Sequence, residues 1–395
     1  MEALEGIRVL DLSRFQACPL CGMALADLGA EVIRIEEPHG AADRTWGQLG
    51  PDGETLLYKV IGRGKKCATL RINTPEGREI LQELIKRSDI VLHNFTPGAP
   101  IAAEVSYERL KEVNEGIIVA ALSGFGQYGP DSERPGFDGT AQARSGGMVI
   151  SGFPGDDPIK TGIPFVDVTS GLFTAVAVLS ALHYKQKTGK GQAIDVSLFD
   201  TASFISQSMG TLLLHHFYGE IRKQIGNRGF HSYNSCLEAK DGWVVLSVVT
   251  NSIWRRFTEK FGRPEMASDP KFGSDMDRFH NADSINEVVG PWVASRTVDE
   301  VVKLCEEARV PCEPVQTIDQ LLTDPQVIAR EMVQYIEYPG LGKIPIAGIP
   351  MKLSLTPGSI KGPSPALGEH NEYVYHELLG LSLEKISGLK QKGII

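Results

Sequence analysis

The sequence predicts a doubly wound α/β fold joined to a second, smaller α+β domain, and three observations point there. Through the first half of the chain, short apolar runs of strand length alternate with longer runs of helical period. Pro near helix starts and Gly just past helix ends mark the junctions. Beyond Gly219 the alternation stops at a polar, glycine-marked segment reaching Gly229, which reads as a linker. With 395 residues, and about 150 residues per domain, the chain has room for two domains or three, each with its own core.

The elements follow in order. Ile7-Arg8-Val9-Leu10-Asp11-Leu12 reads as a strand, and the loop Ser13 to Cys18 leads to Pro19 and a helical run ending at Gly29. Ala30 to Ile35 is the next strand, so the three elements form a β-α-β unit with parallel strands and a right-handed crossover. A strand is expected from Cys67 to Ile72. Thr74 as N-cap and Pro75 at the first helical position then start a helix with Ile80, Leu81, Leu84 and Ile85 on one face. Asp89 to Leu92 is a strand, Tyr107 to Val113 a helix, and Ile117 to Leu122 a buried strand. A long helix from Asp167 to Lys187, a strand from Gly191 to Leu198 and a helix from Ala202 to Phe217 complete the pattern. Past the linker, Gly242 to Val249 is a strand, and short helices are expected at Ile318 to Leu322 and from Asp324-Pro325 to about Glu331. After a Pro/Gly-rich stretch, Pro339 to Pro365, a last helix spans Ser382 to Gln391.

Composition excludes several classes. Forty Lys+Arg against 49 Asp+Glu give a net charge of −9 with no long basic block, so nucleic acid is not an expected partner. The N-terminus lacks a basic and apolar leader pattern. The most apolar stretch, Ile163 to Leu182, carries Asp167, whose charge in a bilayer would be costly; it reads as a core helix rather than a membrane span. Six Cys without a secretion signal read as reduced thiols. A soluble, cytoplasmic protein is expected.

The first strand-to-helix turn, Ser13-Arg14-Phe15-Gln16-Ala17-Cys18-Pro19, has none of the glycines with which a dinucleotide site lets backbone approach a pyrophosphate. A Rossmann-like fold without NAD or FAD is the result, and no Walker loop is present either. Cys18-Pro19-Leu20-Cys21 sits where a thiolate would be favoured, but the other Cys (Cys67, Cys236, Cys305, Cys312) supply no second pair, so two packed thiols are expected. The histidines are scattered, and no metal site is expected. Gly64-Lys65-Lys66 reads as a solvated turn or as a turn whose lysines reach phosphate oxygens. Asp167, one carboxylate among Ile163, Pro164, Phe165, Val166 and Val168, reads either as an N-cap or as a nucleophile kept available at a helix start.

These segments together resemble the class III coenzyme A transferases, the family of formyl-CoA transferase and carnitine CoA-transferase. The resemblance runs nearly end to end. It is carried by Leu28 to Glu36, Thr74-Pro75-Glu76-Gly77, Asn94 to Gly98, Ser123-Gly124-Phe125-Gly126, Arg134 to Asp138, the Asp167 segment, Lys187 to Gln192 and Leu367 to Asn371. It implies that Asp167 is a nucleophile forming an anhydride and then an aspartyl-CoA thioester. It implies CoA contacts at Gln16, Ala17, Leu70, Arg71, Ile72, Asn73, Asn94, Phe95, Thr96, Arg134 and Phe137, with an acyl-CoA and a carboxylic acid as substrates and no permanently bound cofactor. Basic residues common in relatives are replaced here by Glu37, Thr96 and Ala102, which implies either that Lys65, Lys66 or Arg71 substitutes toward the CoA phosphates or that CoA affinity is lower.

The resemblance further implies a large Rossmann-like domain of residues 1–220 and 326–395, a small domain of residues 221–325, and an interlocked homodimer. Two alternatives stay open. A racemase-like isomerase would need a second titratable group where Phe137 stands. A non-catalytic CoA-binding protein would keep the pocket without turnover. The segment Gly226-Asn227-Arg228-Gly229-Phe230-His231 lacks the glycine run of oxalate-using members, which argues against oxalate and leaves the acid undefined.

Overall fold

The computed structural model of the chain describes residues 2–395. Its main sheet has six parallel strands: β1 (Arg8–Asp11), β2 (Glu31–Glu36), β3 (Lys66–Thr69), β4 (Ile90–His93), β5 (Ile118–Ser123) and β6 (Ala193–Ser197). Their order is β3-β2-β1-β4-β5-β6. The chain builds from β1 to one edge, returns to the far side of β1 at β4, and builds to the other edge. That reversal opens a crevice at the carboxyl ends of β1 and β4, because their connections depart in opposite directions. Every residue of β4 and β5 is buried, as their unbroken apolar runs require of strands covered on both faces.

Two helices position the site. The Ala17–Asp27 helix follows β1 and the Phe165–Thr188 helix precedes β6. The longer one turns Val166, Ser170, Gly171, Thr174, Ala175, Val178, Ala181 and Leu182 inward. Most of these are small, so the two helices approach closely. At Gly171 a Cβ would lie 2.5 Å from the Ala17 carbonyl oxygen, a separation only glycine permits. By length and composition alone this helix could cross a membrane, but its inner face shares one core with Val9, Leu25, Ile118 and Leu122. On the other face of the sheet, Leu10, Ile33, Leu70, Leu84 and Ile117 pack with Val374, Tyr375, Ile386, Leu389 and Ile394 of the returning C-terminal segment.

Several elements differ from the sequence reading. The first helix begins at Ala17 rather than Pro19. The expected 202–217 helix is two helices, Leu198–Gln207 and Thr211–Tyr218, parted at Gly210 with φ 73°. The Pro/Gly-rich stretch holds half of a hairpin, β10 (Val333–Tyr338) with β11 (Gly342–Ala347), turned at Gly340 and Gly342, both at positive φ. A π-helical turn at Tyr373–Leu378 was not foreseen. Thr74 caps its helix as expected, its Oγ1 accepting the Gly77 N–H at 3.1 Å.

By internal contacts the chain groups into two compact units. One comprises the chain up to Gly146 with Thr161–Ser206 and Pro325–Ile395; the other comprises Gly147–Lys160 and Gln207–Asp324. The sequence reading places residues 147–160 and the Thr211–Tyr218 helix with the large domain, whereas contacts group both with the smaller unit. The helix break before Thr211 is the physical reason for the second difference. The smaller unit is α+β. Its antiparallel sheet, in the order β7-β8-β9, joins β7 (Tyr233–Glu238), β8 (Trp243–Val248) and β9 (Cys312–Pro314). Val244 and Leu246 of that sheet pack against Trp254, Phe257, Ile285 and Val289.

Candidate active site

The crevice at the sheet reversal is built from the loop after β1 upward. Asp11 ends that strand fully buried, and Lys65 Nζ donates to its Oδ2 at 2.8 Å and to the Pro19 carbonyl at 2.7 Å. The side chain of Asn94, just past β4, then joins the two sides of the reversal. Its Oδ1 accepts the Arg14 N–H at 2.9 Å and its Nδ2 donates to the Arg14 carbonyl at 2.8 Å. Asp43 Oδ2 accepts the Phe15 N–H at 2.8 Å, while Arg34 holds Asp43 at 2.7 and 2.9 Å. Between these grips Phe15 sits at φ 65°, a left-handed conformation that costs a non-glycine residue about 1–2 kcal/mol. The turn it makes brings Gln16 and Ala17 to the wall of the cleft. The helix that starts there has no side-chain cap, so its first amides are left for another acceptor.

The opposite wall comes from β5 and the loop that lies on it. Gly124 and Gly136 touch backbone to backbone: a Cβ on either would lie within 2.9 Å of the other's Cα. This contact seats Arg134 and Phe137 at the cleft. Phe137 meets Phe15 edge-on at 5.9 Å between ring centroids, and Phe15 meets Trp46 at the same distance. Phe15 and Phe137 thus give the cleft an apolar edge, with Trp46 packed against Phe15.

Asp167 lies at the cleft in the first turn of the Phe165–Thr188 helix. The N-cap reading is corrected here, since the helix begins two residues earlier and Pro164 is the cap residue. The cap acceptor comes from elsewhere: Asp138 Oδ2 accepts the N–H groups of Val166 at 2.9 Å and of Asp167 at 3.1 Å. No hydrogen bond to the Asp167 carboxylate itself occurs among the described residues. Burial, followed by the negative charge of Asp138, pushes its pKa from 3.8 up to about 7. An unpaired, partly desolvated carboxylate beside free helix amides suits attack on a carbonyl and stabilisation of the oxyanion that results.

Of the residues expected from the sequence, Gln16, Ala17, Asn94, Thr96, Arg134, Phe137 and Asp167 line this one cleft. The others do not. Leu70 and Ile72 are buried in the core on the other face of the sheet, and Phe95 packs against that core and stacks on His93 at 5.6 Å. Asn73 is exposed, and Arg71 lies 4.0 Å from Glu37. The suggestion that Lys65 and Lys66 reach phosphates meets two facts. Lys65 is buried against Asp11, and Lys66 is paired with Glu31 at 2.5 Å and lies over the Tyr373 ring. Cys18 and Cys21 are buried; burial, then the Asp11 charge for Cys18 and the neighbouring Cys18 for Cys21, push both thiols up, away from reactivity. Among the described residues no group of three or more His, Cys, Asp or Glu could hold a metal ion. The resemblance placed the whole segment Arg134 to Phe137, Gly136 included, at the CoA site; sequence reasoning missed Arg14, Phe15, Ser123 and Gly124 and gave Asp138 no positioning role. Only the strand-to-helix turn and the Gly124 and Gly136 segments gave a local signal.

The model of CoA-transferase family III matches residues 4–371. The chain is 34% identical over 395 residues to a succinyl-CoA–D-citramalate CoA-transferase of Chloroflexus aurantiacus, covering 99% of this chain and 98% of that protein. It is 33% identical to a formyl-CoA:oxalate CoA-transferase of Streptomyces coelicolor (100% and 99% covered) and 31% identical to a human succinyl-CoA:glutarate CoA-transferase (100% and 90%). A crystal structure of a CAIB/BAIF family protein from Brucella suis superposes with a TM-score of 0.83 at 31% identity, covering 95% of this chain and 99% of that one. The chain belongs to CoA-transferase family III, and it is an enzyme that moves CoA between an acyl-CoA and an acid.

Proposed function

We propose that the transfer runs through covalent intermediates on Asp167. An Asp167 oxygen attacks the donor thioester carbonyl, the C–S bond breaks, and CoA leaves as thiolate from an acyl-aspartyl anhydride. The thiolate adds to the Asp167 carboxyl carbon and expels the donor acid, leaving an aspartyl-CoA thioester. The acceptor carboxylate attacks that thioester, forming a second anhydride and releasing thiolate again. The thiolate takes the acceptor acyl group and Asp167 returns as a carboxylate. One thioester is consumed, one is made, and no net proton moves. Each addition passes through an oxyanion, for which the uncapped amides at the start of the Ala17–Asp27 helix are candidate donors at the same cleft. The apolar edge of Phe15 and Phe137, with Trp46 packed against Phe15, would limit water, which would otherwise hydrolyse every intermediate.

The observation that carries this reading is the Asp167 carboxylate, unpaired and held near neutrality at the cleft wall. Two of these three relatives' names pair succinyl-CoA with a second short acid, so succinyl-CoA is the donor to use first. Leu70 to Asn73 and Phe95 belong to the proposal as contacts toward the adenosine end. So do a cytoplasmic setting and an interlocked homodimer. Support for self-association is the outer face of the Phe165–Thr188 helix, where Leu172, Phe173, Val176 and Leu179 are exposed.

Incubation with succinyl-CoA and no acceptor should build an adduct on the peptide containing Asp167. Hydroxylamine should convert it to a hydroxamate, and borohydride should reduce the thioester, each with a defined mass shift. Rapid exchange of the α-proton into deuterated solvent with no modified Asp167 would overturn the assignment in favour of an isomerase. Phe137 offers no proton for that chemistry, and both oxygens of the neighbouring Asp138 are already bonded.

A further inference from the structure

We propose that Asp138 is a positioning residue that keeps the Asp167 carboxylate unpaired and directed at the substrate. This rests on the reading of Asp167 as the nucleophile. A helix start leaves four amides in need of acceptors, and a carboxylate in the first turn ordinarily folds back onto them, most often onto the N–H of the cap residue. A carboxylate so bonded is stabilised as an anion and is a poorer nucleophile.

At this helix every such partner has been removed. The Phe165 N–H donates to the Ile163 carbonyl at 2.8 Å and the Val168 N–H to the Pro164 carbonyl at 3.1 Å. The two amides between them, of Val166 and Asp167, both donate to Asp138 Oδ2. The cap residue is Pro164, which has no N–H to offer. Asp138 is fixed from its other side as well. Its Oδ1 accepts from Gln142 Nε2 at 2.5 Å, and Gln142, itself 3% exposed, accepts the Thr161 N–H at 3.1 Å through its Oε1.

The charge of Asp138 also acts on Asp167 directly, since a neighbouring anion disfavours a second one. The other charged groups at the cleft do not offset it by contact. The Arg14 guanidinium donates to the Leu12, Ser13 and Ile35 carbonyls, and Arg134 pairs with Asp131 at 3.0 Å. One side chain therefore performs two tasks: it occupies the amides, and it keeps the nucleophile basic.

The test is the pH dependence of adduct formation on Asp167 in a single turnover with succinyl-CoA and no acceptor. Asp138→Asn keeps an oxygen to accept the amides and removes the charge. Its acid limb should move down by about one pH unit, and adduct formation on the alkaline plateau should slow about ten-fold. Asp138→Ala also frees the amides for Asp167, so both effects should be larger, while succinyl-CoA affinity should stay within about two-fold because binding does not use this pair. An acid limb that stays in place in both variants while the unsubstituted enzyme forms its adduct would overturn this proposal and leave Asp167 as the nucleophile. No adduct in the unsubstituted enzyme would overturn both readings. Should Asp138→Ala fail to fold, Asp138→Asn still decides, because it preserves the cap.

Discussion

Replacing Asp167 with Asn should make the protein more stable, and the gain should depend on pH. Each pH unit by which a pKa is displaced corresponds to about 1.4 kcal/mol. Holding Asp167 at about 7 rather than 3.8 therefore costs its ionised form about 4 kcal/mol before screening. The side chain is half-buried at an open cleft, so this figure is an upper bound. The sign follows from the direction of the shift. A raised carboxylic acid leaves the native state at full stability below the ordinary carboxylate range and weakens it as pH rises toward the folded value. The advantage of Asp167→Asn should thus open from about pH 4, be complete slightly above about pH 7, and remain constant beyond. Thermal melts of both proteins without ligand would show it as a Tm higher by about 3–5 °C on the plateau. Comparing the two proteins at each pH cancels every titration they share. A variant no more stable than the unsubstituted protein at about pH 8 would refute the argument that this carboxylate is held against its own preference.

Other outcomes follow from the same geometry. Asp167→Ala should reduce CoA transfer by several orders of magnitude while leaving acyl-CoA affinity nearly unchanged, measured by steady-state kinetics and calorimetry; equal losses in both would indicate a structural role. Asn94→Ala removes both hydrogen bonds that hold the Arg14 backbone, so kcat should fall about ten-fold or more through misplaced Gln16 and Ala17 amides, and an unchanged kcat would count against that. Lys65→Met leaves Asp11 buried without its cation and should cost about 3–5 kcal/mol in urea unfolding, with Asp11→Asn in the same chain restoring much of it. Light scattering should give the mass of a dimer, and a monomeric mass would sink the proposal that the exposed face of the Phe165–Thr188 helix is covered by a second copy.

The larger unit was legible in the sequence because its signals are local and repeated. The strands of its parallel sheet are built around short apolar stretches such as Val9-Leu10, Val32-Ile33 and Ile118 to Leu122, and Thr74-Pro75 marks a helix start without help from tertiary contacts. The smaller unit was legible only in part: the expected strand Gly242 to Val249 is found at Trp243–Val248 and the expected helix Ile318 to Leu322 at Ile318–Leu321, but its first strand was not read. Tyr233-Asn234-Ser235-Cys236-Leu237-Glu238 alternates too weakly to read as a strand, and it becomes one only by pairing with Trp243–Val248. Gly210 was passed over inside an apolar run that looked like one helix; its positive φ ends that helix, and composition gives no hint of the angle. The hairpin at Val333–Ala347 was hidden in the same way, since its prolines and glycines signal turn more strongly than strand.

The site divides along a similar line, between chemistry that residue type reveals and electrostatics that only geometry sets. A lone carboxylate in an apolar segment is visible in Ile163 to Val168, but whether it is a cap or a reagent depends on what its neighbours' amides are doing. That is decided by Asp138, which stands 29 residues earlier in the chain. The same holds for the donors opposite. Nothing in Ser13-Arg14-Phe15-Gln16 announces a left-handed residue, because the conformation of Phe15 is imposed by Asp43 and by the Asn94 grip on Arg14, which arrive from the connections after β2 and β4. Both halves of the site thus use one device. A helix start is deprived of its ordinary partner, at Pro164 by the missing N–H and at Gln16 by the absent side-chain cap, and the unmet bonding is presented to the cleft. On one side the result is a free carboxylate and on the other a pair of free donors, which is the complement an acyl transfer requires.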